Sequence, residues 1–283
     1  MKKFLKIVHF IYDHPQNPWL GGGGAYRAMT INIILANRGH HITMICGKFP
    51  GKKPIENQNG ICICYVGKSR NYLLSRLSYA FCARKILNKD KFDIIVDDTS
   101  AFSISMPYLK SDLPRLAIVH HLFGIHAVRK HPILGIGPFL FEKLNIRAYN
   151  KVIVGSPSVQ RQIKNILGSM CNVSFIPYGV DEFLFQGQSV EKNYILFLGR
   201  YDIYNKGIDI LLEAYKSFKD KNPNIKLIFT GGGRDNDKLK KMITEHVFNN
   251  DIELRGRVTG LEKRKVIEEC MFLCMPSRYE GWG

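Results

Sequence analysis

The sequence predicts an α/β protein of two doubly wound, parallel-sheet units. Two observations carry that expectation. Near-continuous apolar runs such as "FLKIVHFIY", "FDIIVDD" and "YILFLGR" alternate with stretches of helical periodicity, the pattern of parallel strands covered on both faces. The series stops at a polar, turn-rich stretch, "QGQSVEKN", and then starts again. The expected division is an N-terminal domain over residues 1–183, a linker over 184–192 and a second domain over 193–283.

The first unit opens on a strand in residues 4–12. A helix follows in "GGGGAYRAMTINIILANRGH", with Ala28, Ile31, Ile34 and Leu35 at helical spacing and Gly39 as its stop. "HITMICG" and "GICICYVG" read as strands, and "NYLLSRLSYAFCARKILNK" as an amphipathic basic helix. "FDIIVDD", "RLAIVHH" and "KVIVGSP" read as three more strands. In the second unit the strands "YILFLGR", "IKLIFTGGG", "IELRGRV" and "FLCMPS" alternate with the helices "GIDILLEAYKSF", "DKLKKMITEHVF" and "EKRKVIEEC". Ligands of such sheets bind at the carboxyl ends of strands, so functional residues are expected just after them.

Composition narrows the function classes. At 283 residues, 45% hydrophobic and 23% charged, the chain reads as an ordinary globular protein. No stretch of 18 apolar residues lacks a charge, which argues against a spanning helix. Lys6 and His9 interrupt the first apolar run and no small-residue cleavage site follows, so it reads as a strand and not a signal peptide. The seven cysteines are odd in number and irregularly spaced, which fits buried thiols in a reducing, cytoplasmic compartment. The net charge of +17 is unevenly spread: residues 1–182 hold 24 Lys+Arg against 10 Asp+Glu, and residues 183–283 hold 17 against 14. The first unit should therefore favour an anionic ligand or surface. No zinc-finger spacing, RNP-type run or basic zipper marks a nucleic-acid partner.

Four segments that follow strands can carry chemistry. Gly21–Gly24 let backbone approach a ligand at a helix N-terminus, although a flexible turn has the same look. His120 follows "LAIV" and should project from a strand end, with His121 pointing the other way. Arg200 after one strand and Lys206 before a helix bring two cations toward one helix start, a combination that suits a pyrophosphate as well as solvated loop cations. Glu280 with the following glycines can offer a carboxylate and backbone N–H groups to a polyhydroxyl ligand. Two acidic segments read otherwise. Asp235–Asp237 has metal-binding spacing but sits where a helix cap is expected, so no metal site is assigned. Asp97 and Asp98 are adjacent in a strand and should point apart, which argues against a catalytic pair.

Taken in order, "GGAYRA…RGHHI", "VHH", "IPYGVD", "GRYDIYNKGIDILLEAY", "LIFTGGG", "IELRGRV" and "MPSRYEGWG" resemble the retaining glycosyltransferases of family 4 over nearly the whole chain. The resemblance implies the GT-B fold, in which two Rossmann-like domains face each other across a cleft. One binds a nucleotide-sugar and the other the acceptor. On this resemblance Arg200, Lys206, Gly23 and Gly24 contact the donor diphosphate, and His120 lies near the transferring sugar. Glu280 is the first acid of an E-x7-E motif, with Gly281, Trp282 and Gly283 against the sugar hydroxyls; the base lies on backbone near Arg257 and Val258. His120 and Glu280 are the implied catalytic residues, and no metal or other cofactor is implied beside a UDP- or GDP-sugar co-substrate.

Three positions depart from the family pattern. Tyr178 stands where Asn is frequent, Tyr26 where Glu is usual, and Trp282 where Phe is common. The implied acceptor is a glycan or lipid-linked glycan of cell-envelope or glycolipid synthesis. The basic segment 69–91, with Arg70, Arg76, Arg84, Lys85, Lys89 and Lys91, suits either an anionic membrane surface or simple packing on the sheet. A non-catalytic nucleotide-sugar-binding protein and a GT-B epimerase remain the alternative readings. The second acid of E-x7-E would fall at position 288, so the second domain is expected to be incomplete, with an exposed apolar sheet edge and little activity at this length.

Overall fold

A computed structural model describes residues 4–87, 92–99, 113–122, 128, 136–149, 151–168, 172–233, 235–245 and 250–281. The chain divides into two compact units, one reaching to Tyr178 and the other covering Gly179–Glu280.

The strands of the first unit are β1 (Lys6–Phe10), β2 (His41–Gly47), β3 (Ile55–Gln58), β4 (Ile61–Val66), β5 (Ile94–Thr99), β6 (Arg115–Val119), β7 (Lys151–Val154) and β8 (Asn172–Phe175). Its described helices are α1 (Gly23–Asn37), α2 (Tyr72–Leu87), α3 (Ile136–Asn145) and α4 (Pro157–Leu167). The sheet runs β3-β4-β2-β1-β5-β6-β7-β8, parallel throughout except where β3 pairs antiparallel with β4. Strand order reverses at β1, which makes the carboxyl ends of β1 and β5 the natural crevice.

Alternation along the strands builds a core on each face. Ile7, Met44, Ile63 and Val96 pack with Ala28 and Met29 of α1, whereas Val8, Phe10, Ile45 and Ile95 pack with Tyr79 and Ala83 of α2. The start of α4 is written in the sequence: Pro157 occupies its first turn, and the Ser156 hydroxyl accepts from Val159 N–H at 3.3 Å.

The face of α1 differs from the sequence expectation. Ala25, Ala28, Met29 and Asn32 are its buried residues, while Ile31 and Ile34 are exposed. The helix turns this way because Asn32 hydrogen-bonds His9 beneath it, and a polar residue carries no weight in an apolar-periodicity reading. The first strand is shorter than expected, and β3, β8, α3 and α4 add to the elements that the sequence announced.

The second unit is a four-stranded parallel sheet in which β9 (Tyr194–Arg200), β10 (Lys226–Gly232), β11 (Ile252–Gly256) and β12 (Phe272–Leu273) lie in the order β11-β10-β9-β12. Its helices are α5 (Ile203–Lys206), α6 (Ile208–Lys219), α7 (Asn236–Glu245) and α8 (Gly260–Glu268). Phe197 and Phe229 are fully buried, with ring centroids 5.1 Å apart, against Leu211, Leu212 and Tyr215 of α6 and Leu239 of α7. The opposite face packs Leu196 and Ile228 with Val266 of α8. Here the order reverses at β9, so residues following β9 and β12 come together. The strand expected across "FLCMPS" is only two residues long, with Phe272 and Leu273 half-exposed at the sheet edge.

The segment expected as a linker hydrogen-bonds to the end of α8. Val190 N–H and Lys192 N–H donate to the carbonyls of Glu268 and Glu269 at 3.1 and 2.8 Å, and the Lys192 ammonium pairs with Glu269 at 2.7 Å. The second compact unit, Gly179–Glu280, includes this segment.

Candidate functional site

In the first unit, polar side chains converge on Asp98, the penultimate residue of β5 and almost fully buried. The Arg27 guanidinium of α1 donates to both its oxygens, at 2.7 and 2.8 Å. His9 of β1 reaches it through Nε2 at 3.0 Å, and His120, just after β6, through Nε2 at 2.9 Å. Burial pushes this carboxyl up, but the hydrogen bonds from His120 and His9 and the charge of Arg27 outweigh it and hold Asp98 ionised, well below the usual carboxylate range. With Nε2–H of His9 given to Asp98, its Nδ1 accepts from the Asn32 amide at 2.8 Å. Strand alternation sends Asp97 to the other face, where the Tyr149 hydroxyl donates to it.

The second nitrogen of His120, Nδ1, lies 2.5 Å from the Tyr178 hydroxyl, so both ring nitrogens are engaged. Burial raises the Tyr178 phenol to about 12, which keeps it a hydrogen-bond donor at neutral pH. Gly24, in the first turn of α1, lies beside this ring: a Cβ there would fall 3.4 Å from His120 Nε2. Gly23 has open space around its Cβ position. The loop leading to them is tied down, because Asp13 accepts from the amides of Gly21 and Gly22 at 3.1 and 3.0 Å. Gly22 caps α1 without a side-chain hydrogen bond, and the first turn of the helix holds no acid.

In the second unit, Arg200 ends β9 and is exposed. The chain then makes the single turn of α5, capped by the Asp202 carboxylate, which accepts from Asn205 N–H at 3.2 Å. Gly207 follows in the left-handed conformation, with φ 62°, and starts α6. A Cβ at Gly207 would fall 1.9 Å from the Pro276 carbonyl oxygen, so only glycine lets the segment after β12 lie on this corner. Arg278 fastens that segment with a two-pronged ion pair to Asp209, 2.7 Å on each prong, and with a bond to the Tyr204 carbonyl at 2.9 Å. The result brings Glu280 to Lys206, whose ammonium donates to its carboxylate across 74 positions of sequence.

Among the residues the sequence singled out, Lys206 and Glu280 therefore meet, and Gly24 meets His120. Val258 places its side chain in the core with Leu196, while Arg257 is exposed. Gly281 is described as a bend; Trp282 and Gly283 lie outside the described residues. Asp235 spends its carboxylate on Ile203 N–H at 2.9 Å. No cluster of three or more His, Cys, Asp or Glu side chains able to hold a metal occurs among the described residues. Sequence reasoning missed Asp98, Arg27, Asp13 and the Tyr178 contact. Asp98 was set aside because its neighbour points away, although one carboxylate suffices to organise a histidine.

The glycosyltransferase family 4 model matches residues 21–182, more than half of the chain. The chain belongs to glycosyltransferase family 4. A second family model, glycosyl transferases group 1, matches residues 180–283. An uncharacterised glycosyltransferase of Methanocaldococcus jannaschii is 31% identical over 172 residues, covering 58% of this chain and 44% of its own. The phosphatidyl-myo-inositol mannosyltransferase of Mycolicibacterium smegmatis is 23% identical over 270 residues, covering 90% of this chain and 66% of its own. This family 4 chain thus spans less than two thirds of the length of these two relatives. Sucrose-phosphate synthase from Thermosynechococcus elongatus superposes with a TM-score of 0.81 at 17% identity, covering 99% of this chain and 77% of that one, which establishes the GT-B fold.

Proposed function

We propose that the protein is a retaining, metal-independent glycosyltransferase that moves a sugar from a nucleotide-sugar to a hydroxyl of a glycan or lipid-linked acceptor. The observation that carries this reading is the meeting of Lys206 and Glu280 at the reversal point of the second sheet. A departing diphosphate needs fixed positive charge, and Arg200 and Lys206 supply it without a metal. Glu280, released from Lys206 when phosphate takes the ammonium, is then free to accept from sugar hydroxyls. Gly23 and Gly24 form a helix start of the kind that suits a phosphate, and His120 is read as serving the transferring sugar. Affinity for the donor is tested by thermal melting of the full-length protein with UDP-, GDP- and ADP-sugars in turn. One base is expected to raise the melting temperature, because a ligand at 100 times its Kd stabilises by about 2.7 kcal/mol. No shift with any of the three contradicts the donor assignment.

A membrane-facing acceptor is favoured by a feature of α2. Ser75, Tyr79, Ala80 and Ala83 fill its sheet side, and Leu73, Leu77 and Phe81 are 66%, 47% and 66% exposed at four-residue spacing on the outside. Arg70 precedes this stripe and Lys85 flanks it; the side chain of Arg84 and residues Lys89 and Lys91 lie outside the description. An apolar stripe edged by cations suits the surface of an anionic bilayer. No described helix is long and apolar enough to cross one. The protein is expected to sediment with anionic vesicles in low salt and to be released in high salt, and Leu77→Glu with Phe81→Glu should abolish the pelleting. Absence of sedimentation in low salt contradicts membrane docking.

A further inference from the structure

We propose that Tyr178 is a positioning residue for His120, holding its ring in place by a hydrogen bond donated to Nδ1. This rests on the proposed role of His120 beside the transferring sugar. The ring has two nitrogens and, when neutral, one proton. Asp98 is ionised and fully engaged as an acceptor, so the proton sits on Nε2 and points at Asp98 Oδ1, 2.9 Å away. Nδ1 then carries the lone pair, and the Tyr178 hydroxyl, 2.5 Å away, donates to it. The imidazole is thus held at both ends, by a carboxylate on β5 and by a phenol that follows β8.

The rest of the structure is arranged to keep the phenol there. Ile176 N–H donates to Val154 O at 2.9 Å, which continues the β7–β8 pairing, and Pro177 keeps Ile176 extended. Tyr178 then lays its ring over Gly155, where a Cβ would stand 2.2 Å from the ring carbon Cζ. The Arg27 guanidinium lies 5.7 Å from the centre of the same ring, so one arginine both neutralises Asp98 and backs Tyr178. A glycine that makes room, an extended Ile-Pro lead-in and a shared arginine fix one hydroxyl on one nitrogen. The two hydrogen bonds, one at each nitrogen, fix the plane of the His120 ring just after β6.

The test uses the full-length protein labelled with 15N-histidine, together with Tyr178→Phe and Gly155→Ala. The first variant removes only the hydroxyl. The second leaves the hydroxyl and displaces the ring. In the wild type the His120 signals should report a protonated Nε2 and an unprotonated, hydrogen-bonded Nδ1. In both variants the Nδ1 signal should move toward that of a free lone pair while Nε2 stays protonated. Both nitrogens protonated in the wild type, or an Nδ1 signal unchanged in both variants, overturns the proposal. In turnover, Tyr178→Phe should lower kcat about tenfold and leave the donor KM within about threefold, as loss of one positioning bond would; an unchanged kcat also overturns it. A wild type that shows no turnover removes the glycosyltransferase reading, and the 15N signals still decide the role of Tyr178.

Discussion

Asp98→Ala is expected to destabilise the first unit by about 3–5 kcal/mol, the usual effect of removing one member of a buried ion pair. The size follows from what is left behind. Arg27 would keep a guanidinium with only 15% of its side chain exposed and lose a two-pronged carboxylate. His9 and His120 would each lose the acceptor for Nε2. Asp98→Asn keeps the shape and one acceptor oxygen and should be less harmful. The effect depends on pH with a definite sign. The folded-state carboxyl is held below its unfolded value, so its contribution is present at neutral pH and is lost as the pH falls below about 5. Denaturation curves recorded from neutral to acid pH should therefore converge for wild type and Asp98→Ala. A variant as stable as wild type at neutral pH would show that the cluster carries no net stability.

Lys206→Ala and Glu280→Ala are each expected to lower donor turnover by the full-length protein at least tenfold, or about 1.4 kcal/mol of barrier. Lys206 is the one charged residue of α5, and the turn that presents it is fixed by Asp202 at its start and Gly207 at its end. Arg278, held by Asp209, keeps Glu280 in reach. On the proposed role of Lys206, its removal takes positive charge from the leaving group, so the loss should fall mainly on kcat. Glu280→Ala frees the ammonium and, on the proposed role of Glu280, removes the acceptor for sugar hydroxyls. Activity within about twofold of wild type in both variants would remove these residues from the site.

Much of this fold is written in local sequence. Runs such as "YILFLGR" and "KLIFT" become β9 and β10 because their residues are apolar on both faces. Elements with mixed sequence were not announced: β3 is "IENQ", an edge strand with little to bury, and β8 buries only Val173. The meeting of Lys206 and Glu280 was legible in part, because both lie in segments that follow strands: β9 ends at Arg200 and β12 at Leu273. The cluster on Asp98 was not. Its partners lie 22, 71 and 89 positions away, and no local pattern links a strand acid to a histidine on β1, an arginine on α1 and a histidine after β6. Likewise Asn32 is buried for a hydrogen bond to a residue 23 positions earlier, which rotated α1 away from the face that Ile31 and Ile34 suggested.

The measurement that bears most directly on the proposed function is release of nucleoside diphosphate from UDP-, GDP- and ADP-sugars by the full-length protein, with and without hydroxyl acceptors. The donor that raises the melting temperature should also be turned over, more rapidly with acceptor present and with the sugar's anomeric configuration kept in the product. A donor that binds and stabilises the protein but is never consumed would contradict the glycosyltransferase assignment and leave a nucleotide-sugar-binding protein in its place.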